Sequence, residues 1–230
     1  MATPVDRLFF FFAASTALAV VVAGFSRTYY LGFWFDAPEL EVLVHVHALA
    51  FTAWLLMLLS QTVLIRVGRS RWHRVMGKVA IPVVAVMVIT GYMVIFGKER
   101  PTPGSRAFIF TPMVSLVLFP AMFAAAIHFR RDPATHKRLM LLATVAISTA
   151  GVSRFMRLIG LEALGYYGGY ALTYALLLLP LIAFDLTRLG RLHRATAWGT
   201  AALIARHPLH IAIAYTDQWQ RIAAWLTPPV

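Results

Sequence analysis

Six long apolar blocks dominate the sequence and limit what it can fold into. An α-helix needs about 20 apolar residues to cross the hydrocarbon layer of a bilayer. A helix also satisfies its own backbone N–H and C=O groups in lipid, which an open strand cannot do. We therefore predict an all-α polytopic membrane helical bundle with about six transmembrane helices. The predicted spans are residues 8–26, 41–65, 79–97, 107–129, 139–160 and 169–187.

The composition agrees with a membrane protein and excludes several other classes. Only 13% of the residues are charged and 60% are hydrophobic, whereas a soluble domain carries roughly 25% charged residues. The chain has no cysteine, which excludes disulfides, thiolate zinc sites and iron–sulfur clusters. The formal charge is +12, but the basic residues lie mainly between the spans. We therefore expect the lipid bilayer and its anionic headgroups, and not nucleic acid, as partners of this charge.

The distribution of Lys and Arg predicts which side of the membrane each connection faces. Cytoplasmic loops carry an excess of these residues. One side of the predicted bundle holds only Arg27, Lys98, Arg100 and Arg106. The alternation predicts a multi-pass protein of the bacterial inner membrane with both termini in the cytoplasm. The cations of the predicted cytoplasmic side are Arg7, Arg66, Arg69, Arg71, Arg74, Lys78, Arg130, Arg131, Lys137, Arg138, Arg188, Arg191 and Arg194.

The segment after the sixth span is predicted to be a cytoplasmic or interfacial tail. We divide the chain into a six-helix transmembrane domain, residues 1–187, and a tail, residues 188–230. Residues 195–205 are apolar but too short to span, and Pro208 follows them. Residues 209–226 place apolar side chains at helical spacing, which is typical of an amphipathic helix lying in the membrane interface. A seventh, interrupted span is the alternative.

Polar side chains at membrane depth predict an outward-facing pocket. Such groups are costly in lipid and usually face the bundle interior or a cavity. His47, Trp54 and Gln61 share one face of span two, and Arg154 lies at nearly the same depth in span five. The predicted pocket contains His45, His47, Trp54, Gln61, Arg154, Arg157, Glu39, Glu41 and Glu162. A structural ion pair of the arginines with these acids is the alternative.

A second group of histidines, on the predicted cytoplasmic side, indicates a metal ion or heme b. His73 and His136 open helices, where the positive end of the helix dipole favours a neutral imidazole that can bind metal. The candidate ligands are His73, His128, His136 and His193. The alternative is an interfacial role, in which these histidines cap helices or contact lipid phosphates. A weak repeat of His, then Lys or Arg, then a helix start occurs at 70–81, 133–144 and 190–204.

Four motifs carry a resemblance to known proteins. They are HVHxxxFTxWLLxxxxQ (45–61), GRxxxHRxxG (68–77), HKRLMLLAT (136–144) and GRLHRATxWG (190–199). With these motifs the chain resembles an uncharacterised family of short predicted inner-membrane proteins from proteobacteria, and this resemblance implies an architecture but no activity. In span number alone it is similar to six-helix diheme cytochromes b, although only one helix here supplies outer-side histidines.

Two functions are compatible with these patterns. The first is a heme- or metal-binding membrane protein of electron transfer that uses the cytoplasmic-side histidines. The second is a non-enzymatic accessory subunit of other membrane proteins, or a small-molecule binding or transport protein that uses the outward-facing His/Arg pocket. The sequence leaves open whether the protein is an enzyme.

Overall fold

The computed structural model describes residues 3–97 and 102–227 and shows an all-α bundle. Six of its helical segments are long and apolar enough to cross a membrane, which confirms the predicted architecture. Two of the cations predicted for the outer side, Lys98 and Arg100, lie outside the described residues. The six segments are Pro4–Tyr30, Val42–Arg66, Ser70–Phe96, Pro103–His128, Pro133–Leu158 and Tyr167–Leu189.

Nine α-helices make up the described chain, and short π and 3-10 turns extend or join some of them. The π segments are Ser26–Tyr30 and Tyr174–Leu178, and the 3-10 turns are Gly32–Phe35 and Glu162–Leu164. The helices are α1 (Pro4–Phe25), α2 (Val42–Arg66), α3 (Ser70–Phe96), α4 (Pro103–His128), α5 (Pro133–Leu158), α6 (Gly165–Thr173), α7 (Leu179–Leu189), α8 (Arg194–Ile213) and α9 (Asp217–Leu226).

Helices α3 and α5 begin well before the spans predicted for them. Hydropathy places their starts at residues 79 and 139, where the charged residues end. The helices instead begin at Ser70 and Pro133 and carry their basic first turns beyond the apolar part. In α5 the Asp132 side chain accepts hydrogen bonds from the N–H groups of Ala134 and Thr135, and Pro133 occupies the first helical position. Both features start a helix regardless of hydropathy.

Helix α5 lies at the centre of the bundle and packs against α1, α4, α6 and α8. Its small residues permit this close packing, since Ala143 and Ala146 are fully buried. The closest approach is to α1, where a side chain on Gly24 would overlap the backbone carbonyl of Gly151. Helices in membranes commonly approach one another through such small residues, because packing is what holds them together in lipid. The arrangement places both ends of α5 against residues from several helices.

The tail does not form a separate unit but adds α8 and α9 to the bundle. At the start of α8, the His193 N–H donates to the Asp185 carboxylate at 3.0 Å. After its end, the Trp219 indole N–H donates to the Arg106 carbonyl at 3.1 Å. Arg106 lies in the first turn of α4, at the opposite end of the bundle from the α4–α5 connection. Helix α8 therefore runs alongside α5 for the length of the bundle, and Pro208 does not interrupt it.

The two described ends of the chain lie at opposite ends of the bundle. The start of α1 lies beside the start of α5, because Asp6 forms an ion pair with Lys137 at 3.2 Å. We call this the N-terminal end of the bundle. Helix α9 lies at the other end, against the start of α4. The side of the membrane that each end faces stays a prediction.

Candidate functional site

The imidazoles of His73 and His136 meet at the N-terminal end of the bundle. Each histidine is the fourth residue of its helix, His73 in α3 and His136 in α5. Their ring centroids lie 6.3 Å apart, with the ring planes at 83° to one another. Both side chains are half-buried. The structure therefore brings together two of the four histidines that the sequence indicated as metal or heme ligands.

Each of these two histidines also lies against the last turns of the preceding helix. The His136 Nδ1 atom is 2.8 Å from the Ala126 carbonyl oxygen of α4. In the same way, His73 lies against the Gln61 backbone carbonyl of α2, although its buried Nδ1 does not reach normal hydrogen-bond geometry. The weak sequence repeat thus corresponds to two helical hairpins, α2–α3 and α4–α5, that are closed by equivalent histidines.

The carbonyl contact determines which nitrogen of His136 is available to a ligand. A carbonyl oxygen can only accept a hydrogen bond, so the proton lies on Nδ1 of His136. In a neutral ring, Nε2 then keeps its lone pair. Histidines that bind metal usually donate their second N–H to a carbonyl or a carboxylate in this way, which fixes the tautomer and the orientation of the ring. His136 is therefore held in the form that coordinates metal through Nε2.

The Gln61 side chain adds a further unused polar group near the histidine pair. Its amide nitrogen and oxygen are both buried and neither has a hydrogen-bond partner. A buried polar group without a partner usually costs about 1–3 kcal/mol. Because the Gln61 backbone lies against His73, the amide oxygen is a possible third ligand from α2. Three helices, α2, α3 and α5, thus contribute to this part of the bundle.

The other two predicted ligands lie elsewhere. His128 is exposed and packs edge-on against Phe129. His193 caps α8, because its Nδ1 accepts a hydrogen bond from the Ala195 N–H at 3.1 Å. Burial and, after it, the charge of Arg138 lower the pKa of His193 below its ordinary value. Within residues 3–97 and 102–227, His, Asp and Glu form no metal-binding group of three or more, so the site centres on two histidines.

A buried ion pair beside the start of α8 was missed by the sequence analysis. The Arg138 Nε donates to Asp185 at 2.9 Å, and the exposed fractions of these residues are 3% and 0%. The second carboxylate oxygen of Asp185 accepts the N–H of His193. The signal in the sequence was an acid inside the sixth apolar block. The pair connects α5 and α7 with His193, the residue that caps α8.

The structure does not bring the predicted outward-facing pocket together. The His47 Nδ1 lies 3.1 Å from both the Met87 carbonyl and the Thr90 hydroxyl of α3. The Trp54 indole N–H donates to the Thr144 hydroxyl of α5 at 3.2 Å. The stripe of His47, Trp54 and Gln61 does face the protein, but it reaches two different helices at different depths. The polar groups of His47 and Trp54 are used for contacts between helices.

The two arginines of α5 lie apart from that stripe. The Arg154 guanidinium donates to the Ala150 carbonyl at 3.1 Å and stacks over the Phe25 ring at 4.5 Å, and Arg157 is exposed. The described residues contain two ion pairs, Asp6–Lys137 and Arg138–Asp185. The predicted acidic partners Glu39, Glu41 and Glu162 therefore pair with neither arginine. Of the predicted pocket, only His45 and Glu39 come together, around a shallow surface cavity of about 340 Å³ that Tyr29 also lines.

Arg206 of α8 is a second buried cation that the sequence analysis missed. Its side chain is 3% exposed, and its Nε donates to the Tyr174 hydroxyl at 3.2 Å. The two Nη atoms donate to the Ser115 hydroxyl and the Ala146 carbonyl, both at 3.1 Å, and to the Thr149 hydroxyl at 3.3 Å. The guanidinium also lies 4.5 Å from the centre of the Tyr170 ring. Neutral groups of α4, α5 and the sixth span thus surround this charge.

The chain was compared with protein-family models, with curated proteins and with solved structures, and it matches none of them. The family resemblance drawn from the four sequence motifs stays a prediction.

Proposed function

We propose that this integral membrane protein binds one transition-metal centre through His73 and His136, either as a bare ion or as the iron of heme b. The observation that carries the proposal is the meeting of the two rings at 6.3 Å, with Nδ1 of His136 held by a carbonyl oxygen. Imidazole nitrogen is a common ligand of zinc, copper, nickel and iron. Two neutral imidazoles from facing helices supply the same ligand set to a bare ion and to heme iron.

The separation of the rings suits a shared metal. Metal–imidazole bonds are about 2.0–2.1 Å long, so one metal atom holds two Nε2 atoms roughly 4 Å apart when the ligands lie on opposite sides. The centroids of the two rings lie 6.3 Å apart, which is about the separation of two imidazoles that bind one metal through Nε2 from opposite sides. Heme iron with two histidine ligands has no open position for a substrate and therefore favours electron transfer over catalysis. The Gln61 oxygen would add a third ligand to a bare ion.

The positive charge around the site favours the binding of an anionic group at its edge. Arg74 follows His73 directly and interacts electrostatically with it. Arg69, Arg71, Arg130 and Arg131 are exposed at the same end of the bundle. These cations suit the propionates of a heme and the anionic headgroups of a bilayer. Following the positive-inside rule, we place this N-terminal end in the cytoplasm of a bacterium and the protein in its inner membrane.

The test compares four purified proteins: wild type, His73→Ala, His136→Ala and His128→Ala. His128 lies at the same end of the bundle but is exposed and away from the pair, so it serves as the matched control. Each preparation is analysed for metals and for a heme Soret band. We expect wild type and His128→Ala to contain metal and the other two variants to lose it at least tenfold. A Soret band identifies heme, and metal without this band identifies a bare ion.

A purely structural role of the histidines predicts a different result. In that case the rings only close the hairpins, and their replacement lowers the thermal midpoint without changing metal content. Metal content that is equal in all four proteins, or absent from all four, would contradict the proposal.

The second candidate, small-molecule binding from the outer side, has one observation in its favour. His45, Glu39 and Tyr29 line the surface cavity at the far end of the bundle. An imidazole and a carboxylate there suit a small cationic or hydrogen-bonding ligand. Replacing His45 and Glu39 together by Ala should then abolish binding or transport while leaving the metal content of the protein unchanged.

A further inference from the structure

The exposed face of α8 is apolar along almost its whole length. After Arg194, which begins the helix, every exposed residue through Ile213 is apolar. The largest exposed side chains are Trp198 at 78%, Ile204 at 50% and Ile211 at 64%. A helix packed on the water-facing surface of a protein shows the opposite pattern, with polar residues outside. This face is therefore suited to contact with lipid.

The polar residues of α8 lie on its inner face. Thr196, Arg206 and His210 are all buried, and Arg206 forms the four hydrogen bonds described above. The neighbouring His207 is half-buried, and its Nε2 lies 2.9 Å from the Tyr174 hydroxyl. Polar groups within membrane-spanning helices usually turn to the protein interior in this manner, because lipid offers them no hydrogen bonds. The inner face also explains how a charged residue is accommodated in the middle of α8.

The length and path of α8 match a membrane crossing. Its 20 residues correspond to about 30 Å, which is close to the thickness of the hydrocarbon core. It begins beside Asp185 at the N-terminal end and finishes near Arg106 at the opposite end. Along the way, Gly199 packs against Leu142, and Arg206 reaches Ala146 and Thr149. The helix thus runs beside α5 from one end of the bundle toward the other.

Helix α9 has the three faces expected of a helix at the membrane surface. One face carries Trp219 and Ala223 and is buried against the start of α4. Beside it lie Ile222 and Trp225, which are 50% and 79% exposed. Asp217 and Arg221 follow on the next part of the circumference, and both are exposed. An apolar exposed flank next to a charged flank is the arrangement of a helix between hydrocarbon and water.

From these observations we infer that α8 is a seventh membrane crossing. The described C-terminal end then lies on the opposite side of the membrane from the start of α1. In this arrangement α9 lies in the headgroup region of that leaflet, with Trp225 and Ile222 in contact with lipid.

The absence of cysteine from the chain makes a sharp labelling experiment possible. Single cysteines are introduced at three exposed positions: Asp36→Cys between α1 and α2, Arg131→Cys between α4 and α5, and Asp217→Cys on the charged flank of α9. A membrane-impermeant maleimide is added to right-side-out and to inverted membrane vesicles that contain the full-length protein. Asp36→Cys and Arg131→Cys report the two sides of the membrane and act as internal controls.

We expect Asp217→Cys to react in the same vesicles as Asp36→Cys and at least tenfold less in those where Arg131→Cys reacts. This expectation does not depend on which side is the cytoplasm. Reaction of Asp217→Cys together with Arg131→Cys would overturn the inference, and so would reaction from both sides. An Arg221→Cys variant is labelled in parallel. If neither cysteine of α9 reacts without detergent, the inference also fails, because both positions are exposed on the charged flank that α9 turns to water in this arrangement.

Discussion

Arg138 and Asp185 form a buried ion pair between α5 and α7. The Arg138 Nε lies 2.9 Å from the carboxylate, and neither side chain reaches the surface to any extent. The same carboxylate accepts the backbone N–H of His193, which holds the residue that caps α8. A single acid thus positions three helices at the N-terminal end, next to the histidine pair of α3 and α5.

Asp185→Asn should destabilise the protein strongly, because it leaves the Arg138 charge buried without a counter-ion. Removing one partner of a buried pair typically costs about 3–5 kcal/mol. Asp6→Asn is the matched control, since Asp6 and Lys137 form a pair whose side chains are 20% and 21% exposed. Exposed pairs contribute about 0–1 kcal/mol. Unfolding in detergent, followed by circular dichroism, should rank the two variants in this order, and equal losses would contradict a special role of the buried pair.

Arg206→Gln should also destabilise the bundle, by about 2–4 kcal/mol. The shorter side chain leaves several buried partners unsatisfied, among them the Ser115 hydroxyl and the Ala146 carbonyl, and each such group costs about 1–3 kcal/mol. Arg157→Gln is the control, because Arg157 is exposed, and it should stay within about 0.5 kcal/mol of wild type. Thermal unfolding of the purified variants measures both. A larger effect at Arg157 than at Arg206 would show that α8 does not pack as described.

His193 should make the stability of the protein sensitive to mild acid. Burial and the charge of Arg138 hold the pKa of His193 below its ordinary value of 6.5. The unfolded chain therefore takes up this proton more readily than the folded protein. The contribution of His193 is fully present above pH 6.5 and is lost as the pH falls from there toward the lower, folded-state pKa. Protonation would also remove the acceptor that caps α8 through the Ala195 N–H.

His193→Asn keeps a capping side chain but has no titrating group. Thermal midpoints of wild type and of this variant are compared at pH 7.5 and pH 5.5. The midpoint of wild type should fall more between these values than that of the variant. If both midpoints change by the same amount, His193 does not contribute the proposed dependence.

The all-α bundle and its six apolar spans could be predicted from the sequence, because a run of apolar residues is a local property. The inward orientation of Trp54 also followed from a spacing of seven residues along one helix. The pairing of His73 with His136 could not be predicted in this way. It depends on how two hairpins pack against each other, and the sequence offered four equivalent candidates.

The path of α8 shows where hydropathy misleads. A hydropathy average gives every residue the same weight, so Arg206, His207 and Pro208 appear to interrupt the apolar segment. In the structure Arg206 is satisfied by α4, α5 and Tyr174, while Pro208 lies on the exposed face. Whether a polar residue can lie inside a helical bundle therefore depends on partners from other helices. Similarly, the position of Arg154 in the fifth span predicted a partner acid or a pocket. Its guanidinium instead stacks over the Phe25 ring and contacts no acid among the described residues.

The most direct measurement of the central claim is the amount of metal bound per polypeptide in wild-type protein purified in mild detergent. Elemental analysis of several independent preparations, combined with an absorption spectrum, gives both the stoichiometry and the form of the metal. The His73–His136 pair predicts one transition-metal atom per chain. Chains that hold well under one tenth of an equivalent of every transition metal, even after incubation with metal ions or hemin, would contradict the claim.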